Sequence, residues 1–586
     1  MKKRILTVLL AVCLVFALGT VTALADSKLP AADNGKITLT SNLSLTRDEL
    51  ATELSSYFTA NADKALTIDL NKNTLTITSS TSTGVEINGN LTIQNGSIVA
   101  NEQTNEATSV LKPTSNATLV LNNIVMATNG TAIYAAGNAT AVRVINSNIT
   151  AGAYVIGTNA SVSGGDLVYS NNVKIYVSGS TLKSVSPILV NVPGTLDVNN
   201  STIIGVNHGI IVRGGSAEIN NTGITLSGAT DAAEYDKYAT SDWGSGNGVP
   251  MAGIVVGNRS NAYNYPAGCT ISGSTTVSVS PAGTNAVYAY QMQDTTNRKV
   301  TLDIEGGTFN ADVVVAGDSG VAADVQISGG KFTNTSALAP YLENGYTFDS
   351  NGNVEISDDA VATVNGTPYT DLQDAIDAAQ RGTTKTVTLL KDVSVRSAGF
   401  VNNQGAITIT EGIILDGDTH TISITSIDAG ATPSAINIQN SANVTLKDLT
   451  IDSNGAKHGL NINNNANVTL ENVKILDSAQ YAIVCNSSKL TVNGLYTQGN
   501  AWGINVDSKT SAKSDVTIND VTITETDSIV LENSNDVGSN LVINGGTFNN
   551  IKKQGDNTND IDVDVNGGTF GMSIITVADE HPDYQV

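Results

Sequence analysis

Clustered carboxylates can serve as general acid and base or hold a cation, and exposed aromatic rings can stack on flat apolar faces such as those of sugar rings. One stretch of this 586-residue chain concentrates both. Segment 227–268 carries Asp231, Glu234, Asp236 and Asp242 among Tyr235, Tyr238, Trp243, Tyr263 and Tyr265, and Trp243 is one of only two tryptophans. Asp231, Glu234 and Asp236 are the candidate catalytic carboxylates. Tyr235, Tyr238, Trp243, Tyr263 and Tyr265 are the candidate ligand-binding rings. A long loop that folds its aromatics back onto its support would carry the same residues, and that reading stands beside the first.

Other chemistry is absent or incomplete. There is no Cys/His zinc spacing, phosphate-cradling glycine loop or dinucleotide fingerprint. Asp562, Asp564, Asn566 and Gly567 match the start of a calcium loop, but Ser573 stands where its terminal Glu belongs. No cofactor and no metal site is expected; calcium is compatible with the acidity but not indicated by a complete motif. Cys269 and Cys485 lie in apolar, strand-like runs and read as buried free thiols, not as a disulfide.

The net charge of −24 argues against nucleic acid and anionic membrane surfaces as partners. Lys2, Lys3 and Arg4, the apolar run Ile5–Leu18 and Ala23-Leu24-Ala25 form a signal-peptide pattern over 1–25, followed by a linker over 26–34. Its removal takes the charge to −27, because residues 1–25 contain no acid. No later segment is apolar enough to span a membrane. The expectation is an extracellular, secreted chain, with cell-surface association possible in principle but no LPxTG-like motif before the terminal HPDYQV.

The elements that must position any site come from a repeat. VTLKDLTI (from Val444), VTLENVKI (from Val468), LTVNGLYT (from Leu490), VTINDVTI (from Val516) and LVINGGTF (from Leu541) share an apolar–polar–apolar triplet followed by a polar pair. The first half repeats the pattern in VRVINSNI, IYVSGSTL, LDVNNSTI and AEINNTGI. A second strand alternates with it: HGIIVRGG and AGIVVGNR early, HGLNINNN, YAIVCNSS and WGINVDSK late. Coils of this size cannot bury a face alone, but stacked coils bury it continuously. Asn and Gly suit left-handed corners, and stacked Asn side chains can bond along the axis. Propeller blades are about twice this length, and a sandwich needs antiparallel hairpins.

An open solenoid end needs a cap. Thr46-Arg47-Asp48-Glu49 opens a helix over about 47–58, with Leu50, Leu54, Tyr57 and Phe58 as its apolar stripe. Thr370-Asp371-Leu372-Gln373 reads as a second capping box, with Leu372, Ile376 and Ala379 on one face and Gly382 as the stop. The expected fold is all-β: a right-handed parallel β-helix in two tandem modules, 35–357 with the insertion 227–268, and 358–586, each with a short N-terminal capping helix.

The stretch VNGTPYTDLQDAIDAA…TVTLLKDVSV (364–395), the GGTF turns and YLENGYTFDSNGNVEI (341–356) resemble extracellular right-handed parallel β-helix, pectate-lyase-like repeat proteins of Gram-positive bacteria. The resemblance covers nearly the whole mature chain. It implies fold and location, and mixes adhesin-like with polysaccharide-active functions. His208-Gly209 with Arg213, and His458-Gly459, are similar to the His-Gly and basic residues of polygalacturonases. However, the aspartate signatures of that family are missing, and Tyr481-Ala482 and Trp502-Gly503 fill equivalent places, which favours a structural turn. Gly317-Asp318-Ser319-Gly320 matches the nucleophile tetrapeptide of trypsin-like proteases without a histidine in that family's context. Nothing compels an enzymatic reading. The expected role is a secreted or surface-associated binding or structural protein, adhesin-like and contacting polysaccharide or another host or cell-wall polymer. The alternative is a polysaccharide lyase or glycoside hydrolase of the pectate-lyase-like class.

Overall fold

The structure, a computed structural model, describes residues 28–571 apart from 63, 79–83, 102–108, 136, 159–160, 164–165, 169–171, 228–249, 258–264, 281–283, 294, 397–403, 427–432, 510–511, 536 and 555–559. It is an all-β parallel solenoid. The chain divides into two compact units, residues 1–343 with 348–355, and 344–347 with 356–586. The first holds an 18-stranded and a nine-stranded sheet, the second a 16-stranded and a seven-stranded sheet.

A typical coil has three short strands, as in Gly194–Asn199, Thr202–Gly205 and His208–Val212. The next coil repeats them at Gly215–Asn220, Gly223–Leu226 and Ala252–Gly257. Parallel register places Val198 beside Ile219, Ile203 beside Ile224 and Ile210 beside Ile254. All six are buried, so each apolar member of the repeat stacks on its counterpart and the intervening polar residues face outward.

The polar pair between the first two strands turns the corner. Asn146, Asn200 and Asn221 adopt φ of 48, 47 and 48°, and Gly179 takes the same role at 57°. The next residue, Ser147, Ser180, Ser201 or Thr222, is buried. Its hydroxyl accepts from a backbone N–H one coil away: Ser147 N donates to Ser180 Oγ at 3.1 Å, and Ser180 N to Ser201 Oγ at 3.2 Å. The same hydroxyls donate to their own coil, Ser180 to the Ser178 carbonyl at 2.8 Å and Ser201 to Asn199 at 2.7 Å. The second unit adds an exposed asparagine ladder in which Asn519, Asn544 and Asn566 each donate to the Asn below at 2.7, 2.7 and 3.0 Å. In the Gly-Gly turns the second glycine is left-handed, φ 109° at Gly330 and 122° at Gly568. The following phenylalanines stack between coils, Phe309 on Phe332 at 4.9 Å and Phe548 on Phe570 at 5.1 Å.

Helix α1 (Arg47–Ala60) has the expected capping box, Thr46 with Glu49. It buries Leu50, Leu54 and Phe58 and occupies the place of the third strand in its coil. Gly89 leaves room for it, because a Cβ there would lie 2.4 Å from the Phe58 ring. Tyr57 is only half-buried, and its hydroxyl reaches the Ala65 carbonyl at 3.3 Å. Helix α2 (Leu372–Arg381) departs from the expected box: Asp371 is the N-cap, accepting from Gln373 N and Asp374 N. Thr370 instead bonds Asn344, and the Gln373 side chain is used elsewhere. Its amide donates to the Thr408 carbonyl and accepts from Thr408 N, both at 2.9 Å. Gln380 Oε1 accepts from Thr410 N and Glu411 N at 2.7 and 2.9 Å. Two glutamines therefore complete the backbone bonding of Gly405–Ile409 and the turn after it at the end of the seven-stranded sheet.

Cys269 and Cys485 are free and fully buried, and burial pushes both thiols up to about 12. Neither should react with an aromatic disulfide reagent in the native chain, and both should react once urea unfolds it. Gln380→Ala, which leaves the edge donors of Thr410 and Glu411 unpaired, should lower stability by about 1–3 kcal/mol in urea titrations, whereas Gln380→Glu, which keeps the acceptor, should lose less.

Candidate functional site

Of the residues singled out in segment 227–268, Asp231, Glu234, Tyr235, Asp236, Tyr238, Asp242, Trp243 and Tyr263 lie outside the described residues. Tyr265 is described. Its ring lies against Gly214, where a Cβ would come within 2.1 Å, and its hydroxyl donates to the Asn191 carbonyl. This one ring is packed on the coil.

His208 is buried, with Nδ1 3.2 Å from Ser186 Oγ and Nε2 3.2 Å from the Pro250 carbonyl oxygen. Asp318, of the protease-like tetrapeptide, accepts from Tyr290 Oη at 2.7 Å and from Gln293 N at 2.9 Å. It ties a turn to a neighbouring coil. The outer face of the nine-stranded sheet is apolar: Leu189, Ile211, Val255 and Tyr288 are buried there, with Tyr154, Tyr290 and Val314 packed against them.

The seven-stranded sheet of the second unit is different. Ser434–Ile438, Leu460–Ile462, Tyr481–Asn486, Trp502–Asp507 and Ile529–Leu531 run side by side in parallel. Register aligns Ile436, Leu460, Ile483, Ile504 and Ile529 on the inside, all buried. Just before this row comes a small residue: Gly459, Ala482, Gly503. A Cβ on Gly459 would lie 2.3 Å from Ile475 Cγ2, and one on Gly503 2.8 Å from Ile523 Cγ2. Those positions face the core, which leaves the preceding residues, His458, Tyr481 and Trp502, on the outside.

The three rings form a strip across successive coils. His458 and Tyr481 centroids are 5.8 Å apart, Tyr481 and Trp502 5.0 Å, with tilts of 31 and 34°. Tyr481 and Trp502 are half-buried, whereas His458 is 8% exposed. Tyr481 Oη points toward Glu532 Oε1, 3.5 Å away. At the ends of the strands, Asp507, the last residue of its strand, and Glu532, the residue after Leu531, sit on adjacent rungs, following the paired residues Val506 and Leu531.

The two carboxylates have unlike environments. Asp507 is fully buried; it accepts from Ser508 N at 2.8 Å, Ser534 N at 3.0 Å and Ser534 Oγ at 2.9 Å, and pairs with Lys509 at 3.4 Å. Glu532 is half-buried and more open. Burial, then the charge of Asp507, lifts its carboxyl above the usual range, against the opposing pull of Asn505, Lys509 and Tyr481. Burial, then the charge of Glu532, pushes the Tyr481 phenol up to about 12. Asp527, one rung beyond Trp502, is paired with Lys552 at 2.9 Å. The floor between rings and carboxylates is amide-rich: Asn461 and Asn463 donate to Asn437 Oδ1, each at 2.9 Å, and Asn505 is 2% exposed.

In the sequence, His458, Tyr481 and Trp502 fall at equivalent positions, which reads as a turn requirement. The requirement lies on the small residue that follows each ring. Glu532 and Asp507 carry no motif; their signal is register, since each comes directly after one of the paired residues Val506 and Leu531 of adjacent coils. Among the described residues no group of three or more metal-ligating side chains is assembled.

No protein-family model matches the chain, and no curated protein is significantly similar to it. Among solved structures, the chain is similar to the catalytic domain of a GH87 α-1,3-glucanase in complex with tetrasaccharides, at 13% identity, over 92% of this chain and 70% of that one, with a TM-score of 0.19. A superposition that loose transfers no residue and no activity.

Burial, with the charges of Lys457 and Lys509, pushes the His458 imidazole down to about 3. The folded chain therefore holds this ring neutral. Between about 6.5 and 3 the unfolded chain binds a proton that the folded chain refuses, so stability falls as pH falls through that window. His458→Gln should flatten the dependence of the urea midpoint on pH between 6.5 and 3 while leaving it nearly unchanged at pH 8. An unaltered pH profile would mean that the ring is not the buried neutral group described.

Proposed function

We propose that this chain is a glycan-contacting β-helix protein, secreted and surface-associated, that works by binding. The contact surface is the outer face of the seven-stranded sheet in the second unit. The observation that supports this most directly is the strip of His458, Tyr481 and Trp502, whose central hydroxyl lies beside Glu532. The half-buried rings of Tyr481 and Trp502 on a rigid sheet, backed by the buried His458, offer an apolar face without an ordering cost, and the adjacent carboxylate and amides offer acceptors and donors for hydroxyl groups. Secretion is supported by the signal-like pattern of residues 1–25.

Polysaccharide cleavage is the second reading, and one observation favours it: Glu532 has a raised carboxyl beside a second carboxylate, the arrangement a general acid needs. The partner weakens it. Asp507 has no exposed surface, and its oxygens are taken by Ser508, Ser534 and Lys509, so it is not free to meet a sugar carbon or a water.

Binding is tested by affinity electrophoresis of the purified chain through gels containing soluble polysaccharides, with Trp502→Ala and Tyr481→Ala beside the parent. Retardation by at least one polymer is expected, with affinity lowered roughly tenfold in Trp502→Ala at an unchanged melting temperature. Retardation of neither parent nor variant across a broad panel would remove the binding reading. Release of reducing ends that is abolished in Glu532→Gln would replace it with the enzymatic one.

A further inference from the structure

Resting on that reading, we infer that the site takes neutral, hydroxyl-rich glycans and rejects uronic-acid polymers. The argument begins with the charges around the strip. Three carboxylates border it: Asp507, Asp527 and Glu532. Both ammonium groups that approach them are already engaged, Lys509 with Asp507 at 3.4 Å and Lys552 with Asp527 at 2.9 Å. Lys457 lies beside His458, whose ring stays neutral. The sequence contains no arginine beyond Arg396, so no bidentate guanidinium stands anywhere on these coils to receive a sugar carboxylate.

The polar groups that remain suit hydroxyls. Among the described residues Glu532 closes no ion pair, although the charge of Lys509 reaches it, and it accepts from Tyr481. Asn505 lies between the aromatic strip and the carboxylates; it is 2% exposed, and its amide is directed at Glu532, whose carboxyl it pulls down, without closing a hydrogen bond of full geometry. Nδ1 of His458 is likewise buried without a partner. A buried donor left unmatched is costly, and a ligand hydroxyl, which both donates and accepts, can match it. A uronate would bring a second negative charge against Glu532 in a partly desolvated place, which is repulsive.

The test uses the full chain, calcium-free and then with calcium, against soluble neutral glucans and mannans on one side and polygalacturonate on the other. Expected is binding of a neutral polymer at least roughly tenfold tighter than polygalacturonate, lost in Trp502→Ala and in Asn505→Leu. Glu532→Lys should weaken the neutral polymer and bring measurable polygalacturonate binding, a gain that a misfolded variant cannot show. Calcium-free polygalacturonate binding that matches the neutral polymers and depends on Trp502 would overturn the inference while leaving the glycan-binding role intact. Equal polygalacturonate binding seen only with calcium would overturn it too, because the carboxylates would then be holding a bridging cation. Failure to bind any polymer, or binding indifferent to Trp502 and Tyr481, would take down the functional reading itself and the inference with it.

Discussion

Each coil of this solenoid must turn its corners without leaving a backbone N–H unpaired against an apolar interior. The corner between the first and second strands is where this is hardest, because two strands meet there at the edge of the core. A left-handed Asn or Gly reverses the chain, and a buried Ser or Thr hydroxyl then receives an N–H from the adjacent coil and returns its own hydrogen to a local carbonyl. The bond runs between coils, so it fixes rotation as well as spacing. Once neighbouring corners are locked, every inward residue falls on its counterpart, and the columns of Ile, Val and Leu follow without further specification.

That lock explains how a site can form from residues with no sequence proximity. His458, Tyr481 and Trp502 are more than 20 positions apart in succession, yet they are stacked rings. Asp507 and Glu532 become neighbours by the same means. In a parallel coil, outward positions carry less of the folding requirement than inward ones. They can vary from coil to coil, and the rings and carboxylates occupy that freedom. The contrast with the first unit supports this: the positions there that correspond to the rings are His208, Ala252 and Asn285, and the row that corresponds to Asn461, Val484 and Asn505 is the apolar Ile211, Val255 and Tyr288.

The parts of the molecule legible in the sequence were those set by periodic constraints. The coils, the corner asparagines, the Gly-Gly-Phe turns, helix α1 and the buried thiols all follow from residue types that one local geometry demands. The cap of the second unit was half legible. Its helix and apolar face were readable, but the box was assigned to Thr370, and the task of Gln373 and Gln380, completing a sheet edge about 30 residues away, has no local signature. The site was the least legible. A density of functional residues, such as that of the acidic, aromatic segment 227–268, is visible in a sequence, whereas a column of single residues spread over four repeats is not.

The shape of the strip bears on what it can hold. Ring centroids 5.0 and 5.8 Å apart leave no gap between successive rings, so they form one continuous band running from coil to coil, not separate pockets. A compact ligand would use a small part of such a band. An extended polymer lying along it could contact both half-buried rings, Tyr481 and Trp502, at once, each adding a modest increment without a new loss of translational freedom. The stacking of coils, which exists to bury isoleucines and valines, also sets the spacing of the band. A substitution that lets one corner slip would therefore misplace a ring on the outside as surely as it would open a gap on the inside. The fold and the proposed recognition depend on the same register.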